Sequence, residues 1–331
     1  MKKDIILFFL IVLCATLAIC ALLLVWDRFS PGFLMESRSG ATRINMTLPS
    51  GDNIVLLAQE GDNTQILPHG TAFVQRIVPA ATGTAHNFEK ADFTESLYGI
   101  DMVYAVGGSF TMGCAPERED ECRDNEKPAH NVTLSDFYIG KYEVTQAQWK
   151  AVMGKDNNPS EFIGDDLPVT NVNWYEAQVF VIKLNEKTGK NYRLPTDAEW
   201  EYAARGGNQS RGYKYSGSDD VNDVAWYAKN SGDTTHTVGT KTANELGIFD
   251  MSGNVWEWVF DLVMVSRNYY TDEARTNPQQ PEGNFPLIRG GGWNLHEATA
   301  ACPSCSSRVL FHVTNFPTWK SNRLGFRLAH D

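Results

Sequence analysis

Tyr192-Arg193-Leu194-Pro195-Thr196-Asp197-Ala198-Glu199-Trp200-Glu201-Tyr202-Ala203-Ala204-Arg205-Gly206-Gly207 is the stretch that fixes the character of the fold. Thr196 with Glu199 forms a capping box, in which two side chains three residues apart satisfy the backbone N–H groups that a helix start leaves open. The helix it opens ends at Gly206. Two more helices carry the same signature. Thr145 with Gln148 opens one that runs towards Met153 and stops at Gly154. Asn173 with Glu176 opens a longer one through Trp174, Ala177, Phe180, Val181 and Leu184, stopped near Gly189. Elsewhere the chain reads as short strands and long loops rich in Gly, Asn and Asp. The class is α+β with an unusual share of irregular structure. Such loops need something beyond local propensity to hold them, and bound calcium is a sensible candidate.

The 331 residues are 42% hydrophobic, enough for one large domain or one plus a small one. A net charge of −11 argues against a large nucleic-acid footprint. Lys2 and Lys3 precede an uncharged apolar run from Ile5 to Trp26, long enough to cross a bilayer. The lysines favour a cytoplasmic N-terminus and place the rest outside. Leu17-Ala18-Ile19-Cys20 also resembles a lipoprotein cleavage box, in which Cys20 is lipidated. Both readings give an envelope protein held at the membrane by residues 1–30. Cys114 and Cys122 flank a polar loop and are able to pair in an oxidising compartment. Cys302-Pro303-Ser304-Cys305 is a lone C-x-x-C, which reads as a local disulfide or two free thiols, since no second pair completes a zinc site.

Residues 31–97 read as a tether and a small β-rich region, with strand-like runs at Ile54–Leu57 and Ala72–Val78. The main domain is expected over 98–331. It carries an ordered series of motifs. Gly107-Gly108-Ser109-Phe110-Thr111-Met112-Gly113 is followed by Glu126-Lys127-Pro128, then by Phe137-Tyr138-Ile139-Gly140-Lys141-Tyr142-Glu143-Val144-Thr145. After the stretch quoted first come Asp250-Met251-Ser252-Gly253-Asn254-Val255-Trp256-Glu257-Trp258, Arg289-Gly290-Gly291-Gly292-Trp293-Asn294 and Leu324-Gly325-Phe326-Arg327-Leu328. This series resembles the sulfatase-modifying, formylglycine-generating-enzyme family. The resemblance implies a C-type-lectin-like core with long irregular insertions.

The family's oxidases use copper and oxygen with two cysteines in a motif like R-G-G-S-x-x-C-x-x-x-x-C. Here Leu295 occupies the first cysteine position and Ala300 the second; a slide of two residues would bring Cys302 to the second place and leave the first unfilled. Cu(I) prefers thiolates, so no copper and no oxidase chemistry are expected. The resemblance also implies a structural Ca²⁺ held by Asp250, by the carbonyls of Gly253 and Val255, and by Glu257; oxygen ligands in a tight loop suit that ion.

Between Trp293 and Leu324 lie Leu295, His296, Val309, Leu310, Phe311, His312, Val313, Phe316 and Trp319. They follow neither a strand nor a helix period. In this fold the segment corresponds to the lectin ligand site. The expectation is an exposed ligand-binding surface built on Trp293, Leu295, His296, Val309, Phe311, His312, Val313, Phe316 and Trp319, because apolar patches on displayed proteins mark partners; the alternative is a core loop folded inward. The variable proteins of diversity-generating retroelements share this fold and carry a hypervariable C-terminus. The chain resembles that subgroup, with 293–323 as the variable segment. Its ligand is a protein or a glycan. A diverged oxidase using Cys302 or Cys305, and a structural envelope protein, are the rivals.

Overall fold

The structure is a computed structural model that describes residues 33–38, 41–47, 53–59, 91–114, 123–264, 270–294, 308, 309 and 311–331. The apolar run Ile5–Trp26, the strand expected at Ala72–Val78, Cys122, Cys302 and Cys305 lie outside them. No helix among the described residues is long and apolar enough to cross a membrane.

The chain divides into two compact units, Met1–His86 and Asn87–Asp331. In the first, β1 (Phe33–Arg38), β2 (Ala41–Thr47) and β3 (Asn53–Gln59) form an antiparallel meander. β3 contains the run expected at Ile54–Leu57. The second unit starts ahead of the expected Tyr98, because β4 (Phe93–Glu95) pairs with β5 (Ile100–Ala105).

Among the described residues, that second unit holds three sheets. Five strands in the order β4-β5-β8-β15-β9 include β8 (Phe137–Gly140), β9 (Tyr192–Arg193) and β15 (Ala329–His330). Thus the C-terminal strand lies between β8 and β9. β6 (Gly108–Met112), β7 (His130–Leu134) and β11 (Arg275–Thr276) form the second sheet. The third runs β13-β12-β10-β14, from β10 (Trp256–Val263), β12 (Phe285–Arg289), β13 (His312–Thr314) and β14 (Leu324–Phe326). β10 and β14 are parallel, with Glu257 opposite Gly325 and Trp258 opposite Phe326. This register sets the W-E-W motif beside the L-G-F-R motif. Gly325 is required there: a Cβ would sit 2.4 Å from the Val169 carbonyl oxygen.

The three helices form where the capping boxes place them. α1 is Gln146–Met153, α2 is Trp174–Thr188 and α3 is Asp197–Ala204, with Thr145, Asn173 and Thr196 as N-caps. Each box is complete in both directions. Gly189 ends α2 in the left-handed conformation. A fourth, single-turn helix, α4, spans Val221–Val224. α2 turns Ala177, Phe180, Val181 and Leu184 into a core shared with Trp149, Trp258 and Phe326. Trp149 and Phe180 stack at 5.4 Å and 5°. Such a pair contributes about 1 kcal/mol beyond the area it buries. Two indoles bolt loops to this core: Trp174 Nε1 donates to the Val259 carbonyl at 2.8 Å, and Trp258 Nε1 to that of Val172 at 3.0 Å.

Candidate ligand-binding site

The loop from Asp250 to Trp258 is compact because Asp250, Gly253 and Asn254 all adopt positive φ. At Gly253 a Cβ would lie 2.4 Å from the Trp226 carbonyl oxygen, so only glycine fits. Asn254 and Asp250 are residue types that tolerate the left-handed region. Glu143, from the Tyr142-Glu143-Val144-Thr145 run, reaches across to this loop. Its carboxylate accepts from Asn254 Nδ2 at 2.6 Å and from Val255 N at 3.1 Å. Asp250 Oδ2 accepts from Gly239 N at 2.6 Å, while Oδ1 is buried without a hydrogen-bond partner. Burial pushes the Asp250 carboxyl up to about 6, against the pull of Gly239 N–H and Arg327. Burial, then the nearby Asp250 and Glu257 carboxylates, pushes Glu143 up as well.

Glu257, expected as a calcium ligand, faces a different cation. Its Oε1 accepts from Arg327 Nη2 at 2.6 Å, and its Oε2 from Arg327 Nε and Trp200 Nε1, each at 2.7 Å. Among the described residues no group of three or more His, Cys, Asp or Glu is placed to hold a metal ion. Ca²⁺ takes six to eight oxygens at about 2.3–2.6 Å. Asp250 Oδ1 keeps no partner within a buried group of three carboxylates, Glu143, Asp250 and Glu257, that faces the single guanidinium of Arg327.

Behind the C-terminal segment lies a second buried charge network. Arg289, the first residue of R-G-G, is ion-paired with Asp197 of α3 and lies 3.1 Å from Glu201. Its Nη2 donates to Tyr270 Oη at 2.9 Å and its Nη1 to the Val309 carbonyl at 3.3 Å. The network fastens β12 and the start of the C-terminal stretch to the helix quoted first. Burial alone would raise the Asp197 carboxyl, but the Arg289 guanidinium outweighs it and holds that carboxyl below its ordinary value.

The expected ligand residues divide sharply. Trp293 is 7% exposed, donates through Nε1 to the Asn322 carbonyl at 3.2 Å, and meets Phe162 edge-on. Val309, Phe311 and His312 are also buried. These four are framework and correct the expectation that they form an exposed surface. The physical reason is that β13 pairs with β12, His312 opposite Arg289, and carries its neighbours into the core. Val313 and Trp319 are half-buried. Phe316 stands 63% exposed, edge-on to Phe285. Leu295 and His296 lie outside the described residues, as do Ala300 and Leu310.

Sequence reasoning missed what grips this segment. Arg308 pairs with buried Glu126 at 2.8 Å, Asn125 Nδ2 donates to the His312 carbonyl at 3.0 Å, and the Arg123 guanidinium lies 4.4 Å over Phe311. The motif Glu126-Lys127-Pro128 was the available signal. On the other side, Asn322 Nδ2 donates to Glu161 at 2.8 Å, beside Phe162 and Ile163, the latter 70% exposed. Cys114 is disulfide-bonded.

Residues 88–331 match the model of the sulfatase-modifying factor enzyme 1-like domain. The chain belongs to this family. The chaperone protein LppX of Paenibacillus barcinonensis is 39% identical over 243 residues, covering 58% of this chain and 78% of that protein. The mouse formylglycine-generating enzyme is 28% identical over 287 residues, 70% of this chain and 75% of the enzyme. Treponema denticola variable protein 1 superposes with a TM-score of 0.63 at 29% identity, covering 73% of this chain and 99% of that one. PvdO from Pseudomonas aeruginosa gives 0.60 at 27%, over 74% and 99%. The fold is the C-type-lectin-like fold of the sulfatase-modifying factor family, as the motif series implies.

Proposed function

We propose that the chain is a non-catalytic ligand-binding protein of the bacterial cell envelope, which presents its C-terminal segment 293–323 on a C-type-lectin-like scaffold. Leu295 carries this reading. It stands where the motif of the oxidases leads to their first cysteine, and a leucine offers copper no ligand atom. Ala300 at the second position removes the other thiolate. The likeness to Treponema denticola variable protein 1 supports a binder. The ligand is a protein or glycan met through rigid aromatic and apolar contacts such as Phe316, a mode with low entropy cost. The apolar run Ile5–Trp26, or lipidated Cys20, holds the domain at the membrane.

The likeness to the chaperone protein LppX favours a second reading within the same class, in which the ligand is a client protein. Both readings fall together in one assay. The full chain is loaded with Cu(I) and given oxygen and a cysteine peptide of the sulfatase type. No aldehyde is expected by oxime capture and mass spectrometry, for the parent or for the Cys302→Ser/Cys305→Ser variant. Copper-dependent aldehyde formation would overturn the non-catalytic reading.

A further inference from the structure

We infer that Ile163 is a fixed anchor of the ligand surface, and that it takes an apolar socket rimmed by lysine or arginine on a partner protein. The inference rests on the binding reading above and names the partner's chemistry. Ile163 is 70% exposed, more than any other large hydrophobic side chain among the described residues. The loop that carries it is nevertheless tightly held. Gln146, the first residue of α1, is buried and spends its amide on that loop. Its Nε2 donates to the Phe162 carbonyl at 2.8 Å and to that of Pro168 at 3.2 Å. Its Oε1 accepts from Asn158 Nδ2 at 2.8 Å and from Gly164 N at 3.2 Å. One side chain therefore pins the residues on both sides of Ile163. A lone exposed apolar side chain is ordinary. One that stands on a pinned backbone loses little freedom on binding, which suits it to anchor a contact.

The same loop is fastened to both ends of the C-terminal segment. Phe162 meets Trp293 edge-on at 5.5 Å, and Glu161 accepts from Asn322 Nδ2 at 2.8 Å. Charge then selects the partner. Between Asn158 and Pro168 stand Glu161, Asp165 and Asp166, all exposed, and no basic residue. Lys150 pairs with Asp165. The Asn322 amide is neutral and does not cancel the charge of Glu161. An exposed isoleucine in an acidic rim, on a chain of net charge −11, favours a basic partner and rejects an acidic one. A neutral glycan offers neither the socket nor the positive rim, so the occupant is a protein.

The test uses the full chain in lipid nanodiscs and, as probe, a phage-displayed library of random dodecapeptides. Enriched peptides are expected to combine large apolar residues with Lys or Arg. They should bind Ile163→Asp about tenfold or more weakly than the parent. Asp166→Lys should weaken them about threefold or more and reduce the salt dependence of binding. Ile182→Asp, on the exposed side of α2, is the control and should bind as the parent does. Ile163 lies in solvent, so Ile163→Asp should keep the parent's Tm. Should that Tm fall, Ile163→Ser takes its place. Enriched peptides that bind the Ile163 variant undiminished overturn the inference. If the same peptides are lost on Phe316→Asp, the binding reading stands without it. No enrichment on the parent overturns both.

Discussion

Arg327 Nη2 lies 2.6 Å from Glu257 Oε1, and both side chains are fully buried. The pair joins two motifs separated by 70 positions, G-N-V-W-E-W and L-G-F-R. β10 and β14 run parallel and bring them side by side, so the ion pair is a product of strand order. Trp200 of α3 completes the knot through its indole N–H. One residue pair thus links the third sheet, α3 and the end of β8.

Glu257→Gln is expected to cost about 3–5 kcal/mol, because it leaves Arg327 charged, buried and without a carboxylate. Urea unfolding of parent and variant measures it. A loss below about 1 kcal/mol would mean that the pair contributes little.

The Asp250 carboxyl sets a pH dependence of definite sign. Its folded value, about 6, lies above the ordinary 3.8 because burial disfavours the charge. The stability it contributes is fully present below the ordinary value and is lost as pH rises through the folded value. Stability should therefore decline as pH rises between pH 4 and pH 7, and Asp250→Asn should flatten this limb. A parent whose Tm climbs across the interval, with Asp250→Asn unchanged in shape, would refute the assignment.

Phe311 and Phe316 should respond oppositely to truncation. Phe311→Ala opens a hole beneath Arg123 and Trp256 and is expected to cost about 3–5 kcal/mol. Phe316, largely in solvent, should cost about 1 kcal/mol or less on truncation. Denaturant titrations of the two variants compare them directly. Equal losses would contradict the division into framework and surface.

The clamp at the start of the C-terminal segment is open to the same measurement. Glu126→Ala strands buried Arg308 and is expected to destabilise by about 3 kcal/mol or more. Leaving stability untouched would show that the 123–126 turn does not hold the segment.

The helices were legible because their instructions are local. Each capping box puts donor and acceptor within four residues, and Gly189 and Gly206 end helices by their own backbone freedom. The family was legible from motif order. The pairings between motifs were not, because Glu143–Asn254, Glu257–Arg327 and Arg289–Asp197 depend on strand order. This is why the partnership of Glu257 with an arginine 70 residues away was not legible beside its reading as a calcium ligand. The aromatic C-terminal stretch read as a surface because β13 is three residues long, too short for alternation to register. Its burial comes from β12 and from Arg123, Asn125 and Glu126.

The gene sequenced from several isolates tests the binding reading most directly. A diversified binder predicts substitutions confined to 293–323, falling on exposed positions such as Phe316 and sparing Trp293, Phe311 and His312. Substitutions spread evenly along residues 88–331 would contradict it and return the chain to an undiversified member of its family.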